Sequence, residues 1–329
     1  MFFLGQKREK KDDKETKPTK RGRRKKEPAK PWGKPERILT FLVLVIIPIL
    51  SLIVAVRSRN NLNSNLALGT TSIINNITPK NNLDVDKLKQ ELASQTQGLT
   101  GTYGIWLQAI DGSFSLGISQ NDKFEGASLF KVPLMIAYYQ KVDKGDLNPS
   151  SSYTLKYVDK QAGSGKLSSL PAGTILTYSD LVKEMAQSSD NTAFEIMGKI
   201  VGWNSINQVI KEIGMTNTSF DKSSTTPYDT GLLFLKLEKG NLISTKSKNE
   251  LLNFLTNTQF ENLIPAGIPK DIQVAHKYAA SGSELNDAGI IFVKGKPFIL
   301  VVLSKNINFS QAQTAIPNIA KIVYNWLTK

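Results

Sequence analysis

The chain has 329 residues, with 42 Lys and Arg against 28 Asp and Glu, one histidine and no cysteine. The missing cysteines exclude disulfides, thiolate zinc sites and a cysteine nucleophile, and the single His276 excludes a multi-histidine metal site. The positive charge is uneven, since residues 1–37 alone hold 15 Lys and Arg against 6 Asp and Glu. Most of the net positive charge therefore lies in an N-terminal tail.

Composition divides the chain into four segments. Residues 1–37 are rich in Lys, Arg, Glu and Pro, which predicts a disordered tail. Residues 38–56 are an uncharged apolar run of 19 residues, long enough to cross a hydrocarbon core of roughly 30 Å as a helix. Residues 57–83, dominated by Asn, Ser and Thr, are predicted to be a flexible linker. The folded domain is predicted to span residues 84–329.

The apolar run at 38–56 is predicted to be an uncleaved signal anchor in the cell membrane. The basic tail before it predicts a cytoplasmic N-terminus and an extracytoplasmic domain. A cleaved signal peptide is the alternative, but the preceding region is too long and no small-x-small site follows before Arg57. Because the tail adjoins this span, we expect it to contact lipid headgroups or signal topology, with no nucleic-acid partner.

Hydrophobic periodicity predicts strands near both ends of the domain and helices mainly in its middle. Predicted helices cover residues 84–92, 133–144, 179–185, 191–201, 203–213, 230–238 and 310–327. Predicted strands cover 102–109, 114–118, 272–279, 288–293 and 298–304, with turns at 111–112, 286–287 and 294–297. This order is typical of an α+β fold in which the N- and C-terminal parts join in one antiparallel sheet.

Ser128 and Lys131 stand three residues apart at the start of an apolar helical run. One helical turn puts their hydroxyl and amine on the same face, as a nucleophile beside a possible base. Pro133 is tolerated only in a first turn, which predicts that Ser128 lies at the N-terminal edge, where free N–H groups favour negative charge. An ordinary helix with a buried serine and a surface lysine is the alternative.

Two further polar clusters follow along the chain. Residues 188–193 read Ser-Ser-Asp-Asn-Thr-Ala, which could simply N-cap the next helix. Residues 276–282 lie on a late predicted strand and include Lys277, although a lysine inside a strand is unfavourable unless it lies at an edge or is functional. The probability that all three clusters occur by chance in this order is far lower than the probability for any one of them.

The clusters resemble the Ser-x-x-Lys, Ser-Asp-Asn and Lys-Thr-Gly motifs of the class A β-lactamase and penicillin-recognising serine hydrolase family. The resemblance extends over roughly residues 101–327. It implies a β-lactamase-like fold with a helical subdomain, no cofactor, and acyl-enzyme chemistry on a β-lactam or a peptidoglycan-type amide. Segments similar to the family's framework are 163–165, 171–174, 225–227 and 286–291.

The resemblance also implies three catalytic roles. Ser128 would attack a carbonyl and become acylated, and Lys131 would hold or relay its proton. Ser189 would pass a proton toward the leaving nitrogen.

Substrate-binding roles are implied in the same way. Asn191 would contact the substrate amide and Lys131, and Lys277 would supply positive charge for a substrate carboxylate. The backbone N–H groups of Ser128 and Ala280 would form the oxyanion hole.

Two departures from the family pattern bear on turnover. The third motif reads Lys277-Tyr278-Ala279, so neither the threonine hydroxyl nor the glycine is present. The loop between residues 214 and 225 has no glutamate to activate a deacylating water, and Asp221 is its sole acid. We therefore expect weak deacylation. The alternative is a catalytically degenerate domain that binds the cell wall or acts as a scaffold. A third and more distant hypothesis is an interaction protein, tethered by the same span, that is not a hydrolase.

His276 permits a Ser-His-Asp reading of the site. The chain has no Gly-x-Ser-x-Gly elbow to accompany it. A histidine on a strand next to a lysine is more often structural, and we expect that role here.

Overall fold

The computed structural model describes residues 85–329. The predicted tail (1–37), membrane span (38–56) and linker (57–83) lie outside the described residues. Within the described part of the chain, no helix is both long and apolar enough to cross a bilayer.

The strands of the described residues form one large sheet and two short ribbons. The strands are β1 (Thr102–Ala109), β2 (Ser115–Ile118), β3 (Phe124–Glu125), β4 (Ser152–Thr154), β5 (Ile175–Thr177), β6 (Ser224–Thr225), β7 (Val274–Ser281), β8 (Glu284–Ile291) and β9 (Phe298–Lys305). The large sheet has five antiparallel strands in the order β2-β1-β9-β8-β7, so the two ends of the domain meet in its middle, as predicted. The ribbons pair β3 with β6 and β4 with β5.

The helices confirm the α+β prediction and lie mostly between β3 and β7 along the chain. Most predicted helices differ from the observed ones by a few residues at either end, and 191–201 agrees at both ends. The helices are α1 (Val85–Ser94), α2 (Lys131–Asp143), α3 (Tyr178–Gln187), α4 (Asn191–Val201), α5 (Asn204–Ile213), α6 (Pro227–Lys239), α7 (Thr245–Phe254) and α8 (Phe309–Thr328). Of these, α7 was not predicted.

The turn predicted at Asn286-Asp287 is wrong, because both residues lie inside β8 and are fully buried. Asn286 donates from Nδ2 to the backbone O of Glu125 at 2.9 Å and accepts at Oδ1 from the N–H of Ser304 at 2.8 Å. Tertiary hydrogen bonds thus satisfy side chains that favour turns in isolation. The actual reversal lies at Gly282, which has a positive φ of 53°.

Two hydrophobic cores cover the two faces of the sheet. One lies between the sheet and the middle helices, and the other between the sheet and α1 and α8. The central helix of the first core is α2, whose first nine residues are all buried. A helix that is apolar on every side is typical of a buried position. Its N-terminus, where Ser128 and Lys131 lie, is therefore rigidly held beside β7.

Candidate active site

Ser128 lies in a 3-10 helix, Ala127–Phe130, that leads directly into α2. Pro133 occupies the first turn of α2, as predicted. The preceding residue, Ala127, has a φ of +41°, a left-handed conformation that is strained for a residue with a Cβ atom. The serine thus follows a strained corner that fixes the direction of its side chain.

The amine of Lys131 joins the first two motifs. Its Nζ lies 3.0 Å from Ser128 Oγ, 3.1 Å from Ser189 Oγ and 2.5 Å from the backbone O of Ser189. A fourth oxygen, Asn191 Oδ1, lies 2.8 Å away. The structure therefore brings together four residues that the sequence analysis singled out.

Burial gives Lys131 the electrostatics of a base. The side chain is 2% exposed, and desolvation lowers the pKa of its ammonium to about 8, against the opposing charge of Asp190. A neutral amine 3.0 Å from a hydroxyl can accept its proton. The pair can therefore activate Ser128 near neutral pH.

The second motif combines a helix cap with active-site geometry. Asp190 is the N-cap of α4, and its Oδ1 accepts from the N–H of Ala193 at 2.8 Å. Ser189 has a φ of +53°, which is strained for serine. Asp190 caps the helix, while Ser189 and Asn191 on either side of it face Lys131. The motif therefore both caps α4 and contributes to the candidate site.

A loop is clamped onto this motif from outside. Asn191 donates from Nδ2 to the backbone O of Ala162 at 2.9 Å, and its N–H donates to the O of Ser164 at 3.0 Å. Gly163 lies so close that a Cβ atom there would meet Asn191 Nδ2 at 2.7 Å. The amide of Asn191 is therefore fixed at both ends, by this loop and by Lys131.

Lys277 lies on β7, the edge strand of the large sheet. The side chain is 1% exposed, and its Nζ donates to the backbone O of Tyr278 at 3.0 Å. Burial, reinforced by the charge of Lys131, holds the pKa of Lys277 well below its usual range, while Asp287 opposes that shift. Two buried amines thus face the same site.

Tyr278, the residue after Lys277, stacks on Phe260, and we call these two rings the aromatic wall. Their rings are parallel, with centroids 4.2 Å apart. The ring of Phe260 also lies 5.9 Å from Lys277 Nζ. Tyr278 therefore presents a ring where the family motif has a threonine, and the next residue, Ala279, is fully buried.

The backbone N–H of Ala280 points to the open edge of the sheet. The N–H of His276 donates to the O of Leu255 on the side away from β8, and the two-residue period of a strand aims Ala280 N–H the same way. Ser128 N–H belongs to the first turn of a 3-10 helix, where N–H groups have no partner within the helix. Both are suitable donors to an oxyanion.

The short loop after α5 turns its acid away from Ser128. Asp221 accepts from Asn207 Nδ2 at 3.3 and 3.4 Å and is exposed. Its neighbour Phe220 instead packs inward on Phe130, with ring centroids 5.4 Å apart. The loop thus directs an aromatic ring, and not a carboxylate, toward the core beside the serine.

The residue that anchors this loop was not among the predicted site residues. Asp229, at the start of α6, is 1% exposed, and its Oδ2 accepts from Asn217 N–H and Thr218 Oγ1, both at 2.8 Å. Burial raises the pKa of Asp229. The only sequence signal was its position three residues after Thr226, which N-caps α6.

His276 is buried among carboxylates. Its Nδ1 lies 2.7 Å from Asp287 Oδ1, and its Nε2 lies 3.3 Å from Glu261 Oε1 and 3.1 Å from Thr258 Oγ1. Among the described residues, none of the hydrogen bonds of its side chain goes to Ser128. This environment favours the structural reading over a Ser-His-Asp triad.

This chain is similar to known proteins of one family. Residues 86–327 match the model of the beta-lactamase enzyme family. Beta-lactamase VEB-1 of Pseudomonas aeruginosa is 23% identical over 274 residues, which cover 74% of this chain and 92% of that protein. A solved beta-lactamase from Sphaerobacter thermophilus is 27% identical, with a TM-score of 0.69, over 73% of this chain and 97% of that one. The solved structure of PBP-A is 25% identical, with a TM-score of 0.68, over 73% and 95%. The chain therefore belongs to the beta-lactamase enzyme family and is a β-lactamase-like serine hydrolase.

Proposed function

We propose that Ser128 forms an acyl-enzyme with a β-lactam or a peptidoglycan-type amide. The observation that supports this most strongly is the 3.0 Å contact between Ser128 Oγ and a buried Lys131 Nζ with a lowered pKa. In the reaction, Oγ bonds to the carbonyl carbon while its proton passes to Lys131. The carbon–nitrogen bond then breaks, and the leaving nitrogen takes a proton through Ser189.

Four groups would bind and polarise the substrate. The N–H groups of Ser128 and Ala280 would stabilise the oxyanion, a contribution worth ~10²–10³ in rate for one donor. Asn191 would contact the amide side chain, and Lys277 would supply positive charge for a carboxylate. Because the aromatic wall replaces the threonine hydroxyl of a Lys-Thr-Gly motif, we expect weaker binding of that carboxylate.

We propose that deacylation is slow. A water must lose a proton to attack the acyl-enzyme, and a carboxylate usually takes it in class A enzymes. Asp221 is engaged with Asn207 on the surface, and Phe220 directs a ring inward. Among the residues of the short loop, no acid is available to activate that water, so the adduct should persist.

We further propose that the domain works outside the cytoplasm, held at the cell membrane by residues 38–56. The support is composition alone: the basic tail 1–37, the uncharged run and the polar linker 57–83.

The test is labelling of the full-length protein with a fluorescent penicillin, followed over time and compared with Ser128→Ala. We expect a stable label on the wild type and none on the variant. Equal labelling of the two proteins, or of neither, would contradict the proposal.

A second candidate, a scaffold that binds the cell wall without turnover, is favoured by Tyr278, Ala279 and the missing glutamate. It predicts no covalent label on the wild type, together with binding to isolated cell walls that Ser128→Ala leaves unchanged.

A further inference from the structure

A buried cation lies directly behind the third motif. His276 precedes Lys277 in β7 and is fully buried. Its Nδ1 and Nε2 contact carboxylate oxygens of Asp287 and Glu261 at 2.7 and 3.3 Å. An ionised carboxylate can only accept hydrogen bonds, so a carboxylate beside each ring nitrogen favours the doubly protonated ring, and Thr258 Oγ1, 3.1 Å from Nε2, can accept from it as well. The geometry therefore favours an imidazolium held between two carboxylates.

The two carboxylates also bind the backbone of one segment, residues 258–264. Glu261 Oε1 accepts from the N–H of Thr258 at 2.6 Å, and Asp287 Oδ2 accepts from the N–H of Ile264 at 2.9 Å. His276 thus connects this segment to β7 and β8 through charge-assisted hydrogen bonds.

The same segment carries half of the aromatic wall. Phe260 stacks on Tyr278 and lies 5.9 Å from Lys277 Nζ. Since side chains alternate along a strand, His276 and Tyr278 share one face of β7 and Lys277 takes the other. The ionic bridge and the wall are therefore adjacent on one face, and the wall borders the amine at the strand edge.

We propose that His276, bridged to Glu261 and Asp287, is a positioning residue that holds the aromatic wall and Lys277 in the geometry needed for substrate binding. The proposal rests on the acyl-enzyme function of Ser128. His276 acts through its neighbours, while Ser128 and Lys131 are held by α2 and the second motif. Disturbing the bridge should therefore weaken substrate affinity more than it slows acylation at saturation.

Charge on His276 should make this positioning dependent on pH. The charged groups facing it are Asp287 on β8 and Glu261 on the 258–264 segment, while Lys277, the next residue on β7, points to the opposite face of the strand. Burial lowers the pKa of His276, but the carboxylates outweigh burial and raise it to about 9. Because this pKa lies above the unfolded value, the stabilisation is complete below pH ~6.5 and is lost as pH rises through about 9.

The ionic bridge can be observed directly because the chain contains a single histidine. Imidazole NMR of the full-length, histidine-labelled protein should show one titration near pH 9. Glu261→Gln removes a charge but keeps an amide oxygen, and should lower that midpoint by about one pH unit. Glu212→Gln, on α5 where the carboxylate bonds Gln140, should leave it unchanged. A neutral imidazole at pH 7 in the wild type would overturn the proposal.

Positioning is tested by stopped-flow acylation of the same three proteins with a fluorescent penicillin. For Glu261→Gln at pH 7, we expect the apparent Kd to rise about tenfold and the limiting rate to stay within about twofold. The alkaline loss of affinity should also move to lower pH, whereas titration of Lys277 alone would leave it in place. Unchanged affinity with a lowered imidazole pKa overturns the positioning role. A wild type that is never acylated overturns the proposed function, and this proposal with it.

Discussion

The two ends of the candidate site differ in how completely their amines are satisfied. Among the described residues, four oxygens of Ser128, Ser189 and Asn191 lie within 3.1 Å of Lys131 Nζ. Lys277 Nζ donates to one backbone oxygen and lies beside the aromatic wall. The Lys131 end is a connected hydrogen-bond network on rigid elements. The Lys277 end departs from the family motif in sequence and has an aromatic ring where the motif has a threonine. Under the proposed function, this difference predicts that the chain is acylated but binds a substrate carboxylate weakly and deacylates slowly.

Removing the base should have the largest effect. Lys131→Ala deletes the proton acceptor of Ser128, and we expect the acylation rate constant to fall by ~10³-fold. Stopped-flow labelling with a fluorescent penicillin measures this, and a thermal melt checks that the variant folds. A fall of less than tenfold would show that the connected end of the site is not the catalytic one.

Supplying an acid to the short loop should accelerate deacylation. Phe220 packs on Phe130 and on Phe194, whose ring lies 5.7 Å from Lys131 Nζ, so a glutamate there would direct a carboxylate toward the Ser128–Lys131 side of the core. We expect Phe220→Glu to raise the rate of label loss by ~10²-fold, since general-base catalysis contributes ~10²–10⁴. Phe220→Gln is the matched control, with the same size and no base. Equal rates in the two variants would contradict the proposed reason for slow turnover.

The pH dependence of acylation should follow the pKa of Lys131. Only the neutral amine accepts a proton, so below about pH 8 the rate constant should fall about tenfold per pH unit and above it should level off. Measurement of the limiting acylation rate from about pH 6 to about pH 10, on both sides of this pKa, checks this. A flat profile would mean that another group takes the proton.

Restoring the family residue at the wall should have the smallest effect. Tyr278→Thr removes the ring that stacks on Phe260 and returns a hydroxyl beside Lys277. We expect the affinity for a β-lactam carboxylate to improve about tenfold, in line with one good hydrogen bond to a charged group. Titration with a carboxylate-bearing penicillin and its methyl ester separates this effect from general packing. Equal gains for both ligands would exclude carboxylate recognition.

Local pattern was enough to predict much of the fold. The strand at 102–109 and the helix at 191–201 agree with the structure at both ends, because their apolar spacing has a clear period. Helix α7 reads TKSKNELLNF, in which few apolar residues mark a buried face, and it was missed. The Asn286-Asp287 turn failed because its side chains are satisfied by distant partners that no local rule identifies.

The residues of the candidate site also divide into those that a local pattern reveals and those that only distant contacts bring together. Ser128 with Lys131, and Ser189 with Asn191, could be found because each pair is local and its spacing carries the chemistry. Glu261 could not be found, since it meets His276 only after the 258–264 segment folds against the edge of the sheet. Inward and outward directions within a loop, such as those of Phe220 and Asp221, likewise depend on tertiary packing.

The central claim is that Ser128 is the acylated nucleophile. Peptide mapping by mass spectrometry of the full-length protein after penicillin treatment tests it most directly. We predict one adduct with the mass of intact penicillin, on the peptide containing Ser128 and absent in Ser128→Ala. An adduct on another residue, or none at saturating penicillin, would contradict the account.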